Sequence, residues 1–268
     1  MSCMKVTNTI HLIRKIVWNI LLYLGLSLGR VPKYKSLVRI FTLVRPINIG
    51  IDLVRVGGDN DGAYLLPEDL DGITAVFSPG VATEFSFEKT FADQGIPCFM
   101  IDGSVDSPPS SHENFFFEKL WLSPVTKKGE SISLDDWIHK APASGDLVLQ
   151  MDIEGAEFGC LITAKAATLQ RFRVIVVEYH NLGQMLNVKS LRRVQGVFEK
   201  LSNTHTVVHA HANNCCPVFR IRKIRIPTVI EVTYIRNDRV KERNGFASIP
   251  HEQDQLNVPD NPAVELRW

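Results

Sequence analysis

From Ile73 onward, short apolar runs alternate with stretches of helical spacing. Ile73–Phe77 is apolar and closes on Ser78-Pro79-Gly80, which predicts a strand followed by a turn. Residues 86–94 have helical spacing, with Gly95 placed as a C-terminal stop. Pro97–Ile101 predicts a second strand, closed by Asp102, and the aromatic-rich run Asn114–Leu122 a third. Ser133 and Asp136 have the spacing of a capping box, so a short helix starts there and stops at Pro142. Leu147–Met151 is a fourth strand, bounded by Asp152, and residues 156–170 read as one helix. Arg173–Val177 is a fifth strand, leading into Glu178-Tyr179-His180. Val188, Leu191, Val194, Val197, Phe198 and Leu201 recur on one helical face. Thr204–Ala210 and Thr228–Ile235 complete seven strands, and the segment between them, 211–227, reads as a loop.

Strands that alternate with helices predict a mostly parallel sheet with right-handed crossovers, hence an α/β fold. A loop before the last strand lets that strand run antiparallel. The predicted organisation is a basic, apolar extension over 1–50, one domain over 51–236 and an irregular, proline-containing tail over 237–268.

The first 51 residues hold eight Lys or Arg and no Asp or Glu. Within them, residues 16–29 are apolar but short of the about 20 needed to span a bilayer. This run reads as an interfacial or core-packed helix, with a cleaved leader and a marginal anchor as the other readings. The basic charge predicts peripheral contact with an anionic membrane through residues 1–45. Net charge over the whole chain is +1, which gives no field for nucleic acid. The five cysteines match no disulfide framework or zinc pattern, so a reducing, cytoplasmic setting is the simplest reading.

In an open α/β sheet, ligands bind beyond the carboxyl ends of the strands, where the strand order reverses. The polar residues that end strands are therefore the candidates. The first strand ends in a loop holding Ser78, Gly80 and Glu84, and Gly80 permits a tight turn close to a ligand. Asp102 ends the second strand, 22 positions after Gly80, where a carboxylate can accept from ribose hydroxyls. The fourth strand ends in Asp152, Glu154 and Glu157. Glu157 reads as an ordinary acid at a helix N-terminus. Asp152 and Glu154, with Glu178, are candidates for orienting a substrate, holding a divalent cation or serving as a base. His180 and His211, at the ends of strands five and six, are candidate proton acceptors. Upstream, the segment from Gly57 to Leu65 is dense in glycine and acid; Gly58 and Asp61 there suit a loop that covers a ligand. No GxGxxG run is present, which argues against a dinucleotide-dependent dehydrogenase.

These segments together resemble the FkbM family of S-adenosylmethionine-dependent methyltransferases. The resemblance rests on Gly57–Tyr64, Phe77–Val81 with Phe87-Glu88, Ile101-Asp102, Ser133–Asp136 and Met151–Glu157. It extends through Glu178–His180, His209–Cys215 and Pro227–Tyr234. It implies a Rossmann-like class I methyltransferase fold, with six parallel strands and one antiparallel. It also implies S-adenosylmethionine held by Gly58, Asp61, Ser78, Gly80, Glu84, Asp102 and Asp152, and O-methylation of a carbohydrate or other small acceptor.

Overall fold

The computed structural model describes residues 31–58, 62–108, 110–142 and 144–266. The apolar run 16–29 and Asp61 lie outside the described residues. Among the described residues, seven strands form the central sheet. In chain order they are β3 (Ile73–Pro79), β4 (Cys98–Ile101), β5 (Phe115–Glu118), β8 (Asp146–Met151), β9 (Phe172–Tyr179), β10 (His205–Ala212) and β13 (Ile230–Arg236). Their spatial order is β5-β4-β3-β8-β9-β13-β10. Neighbours from β5 to β9 pair in parallel. Strand β13 slots between β9 and β10 and is antiparallel to both, so six strands point one way and β13 the other. The chain leaves β3 towards β5 on one side and resumes at β8 on the other, which puts the reversal of order between β3 and β8.

Alternation along the strands separates two cores. Phe77, Leu149, Ile175 and Tyr234 face helices α4 (Glu157–Thr163) and α6 (Val188–Ser202). Val76, Val148, Val174 and Val176 face α2 (Ser86–Ala92) and an antiparallel hairpin of β1 (Leu53–Val56) and β2 (Tyr64–Pro67). Ser78, Gln150 and Glu178 fall on this second face by the same alternation. The hairpin is tied down where Thr233 donates to the Leu65 carbonyl at 2.8 Å.

The N-terminal boundary drawn from charge does not hold. Helix α1 (Tyr34–Leu43) buries Leu37, Ile40 and Phe41 in the main core and packs on α6. Its apolar positions have the three- and four-residue spacing of a core-facing stripe, so 34–50 belongs to the folded body. The predicted helix 156–170 is broken into α4 and α5 (Ala166–Leu169), where the Lys165 amide donates to Asp135 Oδ1 at 2.8 Å. The third predicted strand stops at Glu118. After a tight turn, β6 (Trp121–Leu122) pairs in parallel with β7 (Ser131–Ile132). The stretch read as a loop holds an antiparallel hairpin, β11 (Val218–Ile221) and β12 (Ile224–Pro227), which buries Ile224 and Ile226. From Asn237 the chain is largely irregular and is bonded over the sheet. Asn214, just past β10, donates to the carbonyls of Val258 and Asn261.

Candidate functional site

The carboxyl ends of β3 and β8 meet at Gly80. Its φ is +90°, and a Cβ there would lie 1.6 Å from the Asp152 carbonyl oxygen, so the two strand ends touch only because the residue is glycine. The glycine's first role is thus a strand-to-strand approach. Beside this contact lies a cavity of about 270 Å³, lined by Gly80, Asp102, Ser104, Trp121, Asp152 and Glu154 among others. Leu120, Leu122, Ile153 and Ala156 give it apolar walls. Trp121 is half exposed, and its ring lies so close over Gly103 that a Cβ there would meet it at 2.2 Å. Asp102 is buried at the rim. Its Oδ2 accepts from the Ala82 amide at 2.8 Å, and its Oδ1 accepts from the Ser104 amide and hydroxyl at 2.7 and 2.6 Å. A carboxylate has about four acceptor positions, so room remains for a ligand hydroxyl.

Next to the cavity, four carboxylates surround one imidazole. His180 Nδ1 is 3.0 Å from Glu157 Oε1, which also accepts from the Gly155 amide at 2.8 Å. His180 Nε2 faces Glu154 Oε2 at 3.5 Å, Asp152 Oδ1 at 3.7 Å and Glu178 Oε1 at 3.9 Å. Burial alone would lower the affinity of this ring for a proton. The Glu157 hydrogen bond and the charges of Asp152, Glu157 and Glu178 outweigh it and raise the pKa to about 9. The ring is therefore an imidazolium at neutral pH unless other positive charge enters the cluster. Asp152, Glu154 and His180 also offer ligand atoms within 4.8 Å of one another, a set suited to a divalent cation. His180 takes the place that the sequence reading gave to Glu178. Glu178 is engaged elsewhere: its Oε1 accepts from Asn213 at 2.9 Å and its Oε2 from Tyr64 at 3.4 Å. Glu157, expected as an acid at a helix N-terminus, does open α4, yet it has no exposed surface. It is the residue that orients His180.

Behind Glu178 runs a buried polar chain on the same sheet face. Gln150 Nε2 donates to the Tyr64 hydroxyl at 3.2 Å, and Tyr64 donates to Glu178. With the amide oriented this way, Gln150 Oε1 faces Ser78 Oγ at 2.6 Å and must accept its proton. Ser78 Oγ also contacts Glu88 Oε1. One hydroxyl proton cannot serve both acceptors at once; a protonated Glu88 that donates to Ser78 meets both contacts. Burial raises the Glu88 pKa to about 7, against the opposing pull of Ser78.

Of the residues chosen from sequence, Gly80, Asp102, Asp152 and Glu154 line the cavity, and His180 and Glu178 adjoin it. Ser78 does not reach it; it is fully buried in the chain just described. Glu84 accepts from the Phe85 and Ser86 amides and caps α2, and Gly58 donates to Ser86 Oγ at 2.9 Å. The Gly58 bond holds the β1–β2 tip against α2. His211 belongs to another cluster. It sits on β10, separated from β9 by β13, with Nδ1 3.4 Å from Asp254 and Nε2 3.2 Å from Asn257. His209 Nε2 is 2.8 Å from the same Asp254. These histidines anchor the C-terminal segment, and nothing brings His211 to the cavity. The residues that the sequence reading missed are Trp121, Ser104 and Gln150; Tyr64 and Asn213 stood within the segments of the resemblance but were given no role. Gln150 carried a visible signal, as the lone polar residue inside the run Leu147–Met151.

No curated protein matches the chain. Residues 102–204 match the family described as the methyltransferase FkbM domain. That span starts at Asp102, ends past α6 and contains Asp152, Glu154, Glu157, Glu178 and His180. Residues 102–204 are thus similar to the methyltransferase FkbM domain.

Proposed function

We propose that this domain transfers a methyl group from S-adenosylmethionine to a hydroxyl oxygen of a neutral carbohydrate or glycan. The observation that carries the reading is the placement of Asp102 and the Asp152–Glu154 pair on opposite rims of one apolar-walled cavity at the strand-order reversal. The strand order, with one antiparallel strand slotted before the edge, agrees with a Rossmann-like class I methyltransferase. Asp102 is positioned to accept from a ribose diol, Trp121 to cover a flat base, and Asp152 or Glu154 to hold a cationic amine. When bound, the cofactor supplies an electrophilic methyl on sulfur.

The protein's own contribution is alignment and proton removal. A hydroxyl attacking that methyl must lose its proton as the bond forms. His180 is an imidazolium in the ligand-free cluster, so it accepts a proton only when cationic charge relieves the hold of Asp152 and Glu154. The cofactor's own positive charges supply that relief; a divalent cation on Asp152, Glu154 and His180 is the second reading, favoured by their spacing. Asp152 and Glu154 at the mouth also repel anionic acceptors.

The test is calorimetric titration with S-adenosylmethionine, S-adenosylhomocysteine and NAD. The two adenosyl ligands bind and NAD does not; the reverse order sinks the reading. Mass spectrometry with neutral and anionic glycan acceptors then reads a 14 Da gain on the neutral ones, the mass that a methyl group adds in place of a proton.

A further inference from the structure

A second surface lies away from the cavity, where α1 meets the turn of the β11–β12 hairpin. There a groove of about 700 Å³ is lined by Tyr34, Val38, Phe41, Thr42, Arg45, Lys223 and Ile224. Arg222 lies over the Tyr34 ring, 5.2 Å from its centre, which joins the two elements. Apolar side chains of the α1 segment stand in solvent beside it: Val31 is 64 % exposed and Val38 38 %. Lys33, Lys35, Arg45, Arg220, Arg222 and Lys223 are all exposed. Neither 31–51 nor 215–230 contains an acid.

The chain that enters this face at Val31 has the same character. Residues 1–30 carry four Lys or Arg, no acid and the apolar run 16–29. Two cationic, apolar segments gain nothing electrostatically from packing on each other alone. An anionic bilayer surface satisfies both, since headgroups meet the cations and the exposed Val side chains enter the interface. With a net charge of +1 over the whole chain, attraction to such a surface has to come from a local concentration of cations like this one.

We infer that the face built from α1 and the β11–β12 turn docks on an anionic membrane surface. The folded domain is then part of the docking surface and not merely tethered by its N-terminus. The inference is independent of the methyltransferase reading.

The experiment is co-sedimentation of the full chain with phosphatidylcholine vesicles, with and without phosphatidylserine. Each cation near such a surface is worth about a fivefold change in partitioning. Wild type should sediment with the phosphatidylserine vesicles, weakly with neutral ones, and less as salt rises. The double variant Arg222→Glu/Lys223→Glu should bind roughly thirtyfold or more weakly. Lys33→Glu/Lys35→Glu should do the same, and its acids beside the start of α1 favour that helix, so unfolding does not explain its loss. Thermal midpoints check both variants. Equal binding of wild type and the variants with intact midpoints overturns the proposal. So does equal binding to neutral and anionic vesicles, or capture of a single-stranded oligonucleotide in preference to them.

Discussion

Replacing Glu88 by glutamine keeps the shape of the side chain and a donor for Ser78 but removes the titration. In wild type, burial raises the Glu88 carboxyl from an ordinary 4.5 to about 7. The folded state then binds a proton that the unfolded chain has already released between these two values, so stability falls as pH rises through that window. Below about pH 4.5 the contribution is fully present; above about pH 7 the loss is complete and amounts to about 3 kcal/mol. Between pH 6 and pH 8 linkage gives a loss of about 1.4 kcal/mol. For a domain of this size that is roughly 3–6 °C in Tm. Calorimetry or dye-monitored melting of both proteins across that range, at constant ionic strength, measures it. The midpoint of Glu88→Gln should lose less than wild type by that amount and equal or exceed wild type at pH 8. If the two proteins show parallel pH dependence, Glu88 is ionised in the fold. The donor order from Glu88 through Ser78, Gln150 and Tyr64 to Glu178 is then wrong.

Other outcomes follow from the same geometry. Asp102→Asn keeps the size of the side chain and one acceptor oxygen, for either the Ala82 amide or the Ser104 pair, and removes the charge. It should weaken S-adenosylmethionine binding about tenfold to a hundredfold by calorimetry, and unchanged affinity would make Asp102 purely structural. His180→Ala should lower turnover on an accepted glycan by about 10²–10⁴ while cofactor affinity shifts only a few-fold; full rate in that variant removes His180 from proton transfer. His211→Ala should leave turnover within a few-fold and lower the thermal midpoint, because its partners are Asp254 and Asn257 of the tail. Gly80→Ala should cost at least about 3 kcal/mol or abolish soluble expression, because the added Cβ meets the Asp152 carbonyl.

What local pattern encodes came through from sequence. The seven strands and the long helix α6 were legible because period-2 and period-3.6 spacing report which face of an element is buried, whatever it is buried against. Asp102, Asp152 and Glu154 were legible as candidates because strand ends in an α/β sheet are where ligands gather. The antiparallel strand was legible from the lack of a helix before it. The β11–β12 hairpin was not, because prolines and clustered basic residues mask its alternation.

Partnership between residues far apart in the chain was decided only by tertiary structure. Glu157 looked like a helix-end charge because its burial under His180 is set by the packing of α4 on β9, which no local spacing records. His180 and His211 both looked like candidate bases at strand ends, with His180 favoured for the nearby Glu178. Insertion of β13 between β9 and β10 separates them, leaving one among four carboxylates and the other under the C-terminal segment. Ser78 looked like a loop contact, yet its place on the β1–β2 face directs it inward, into the chain that ends at Glu178. Sequence by itself thus determined which elements form and which residues end them. Which of those ends share a site depended on strand order, because hydrogen bonds and charges act over a few ångströms of space and not along the chain.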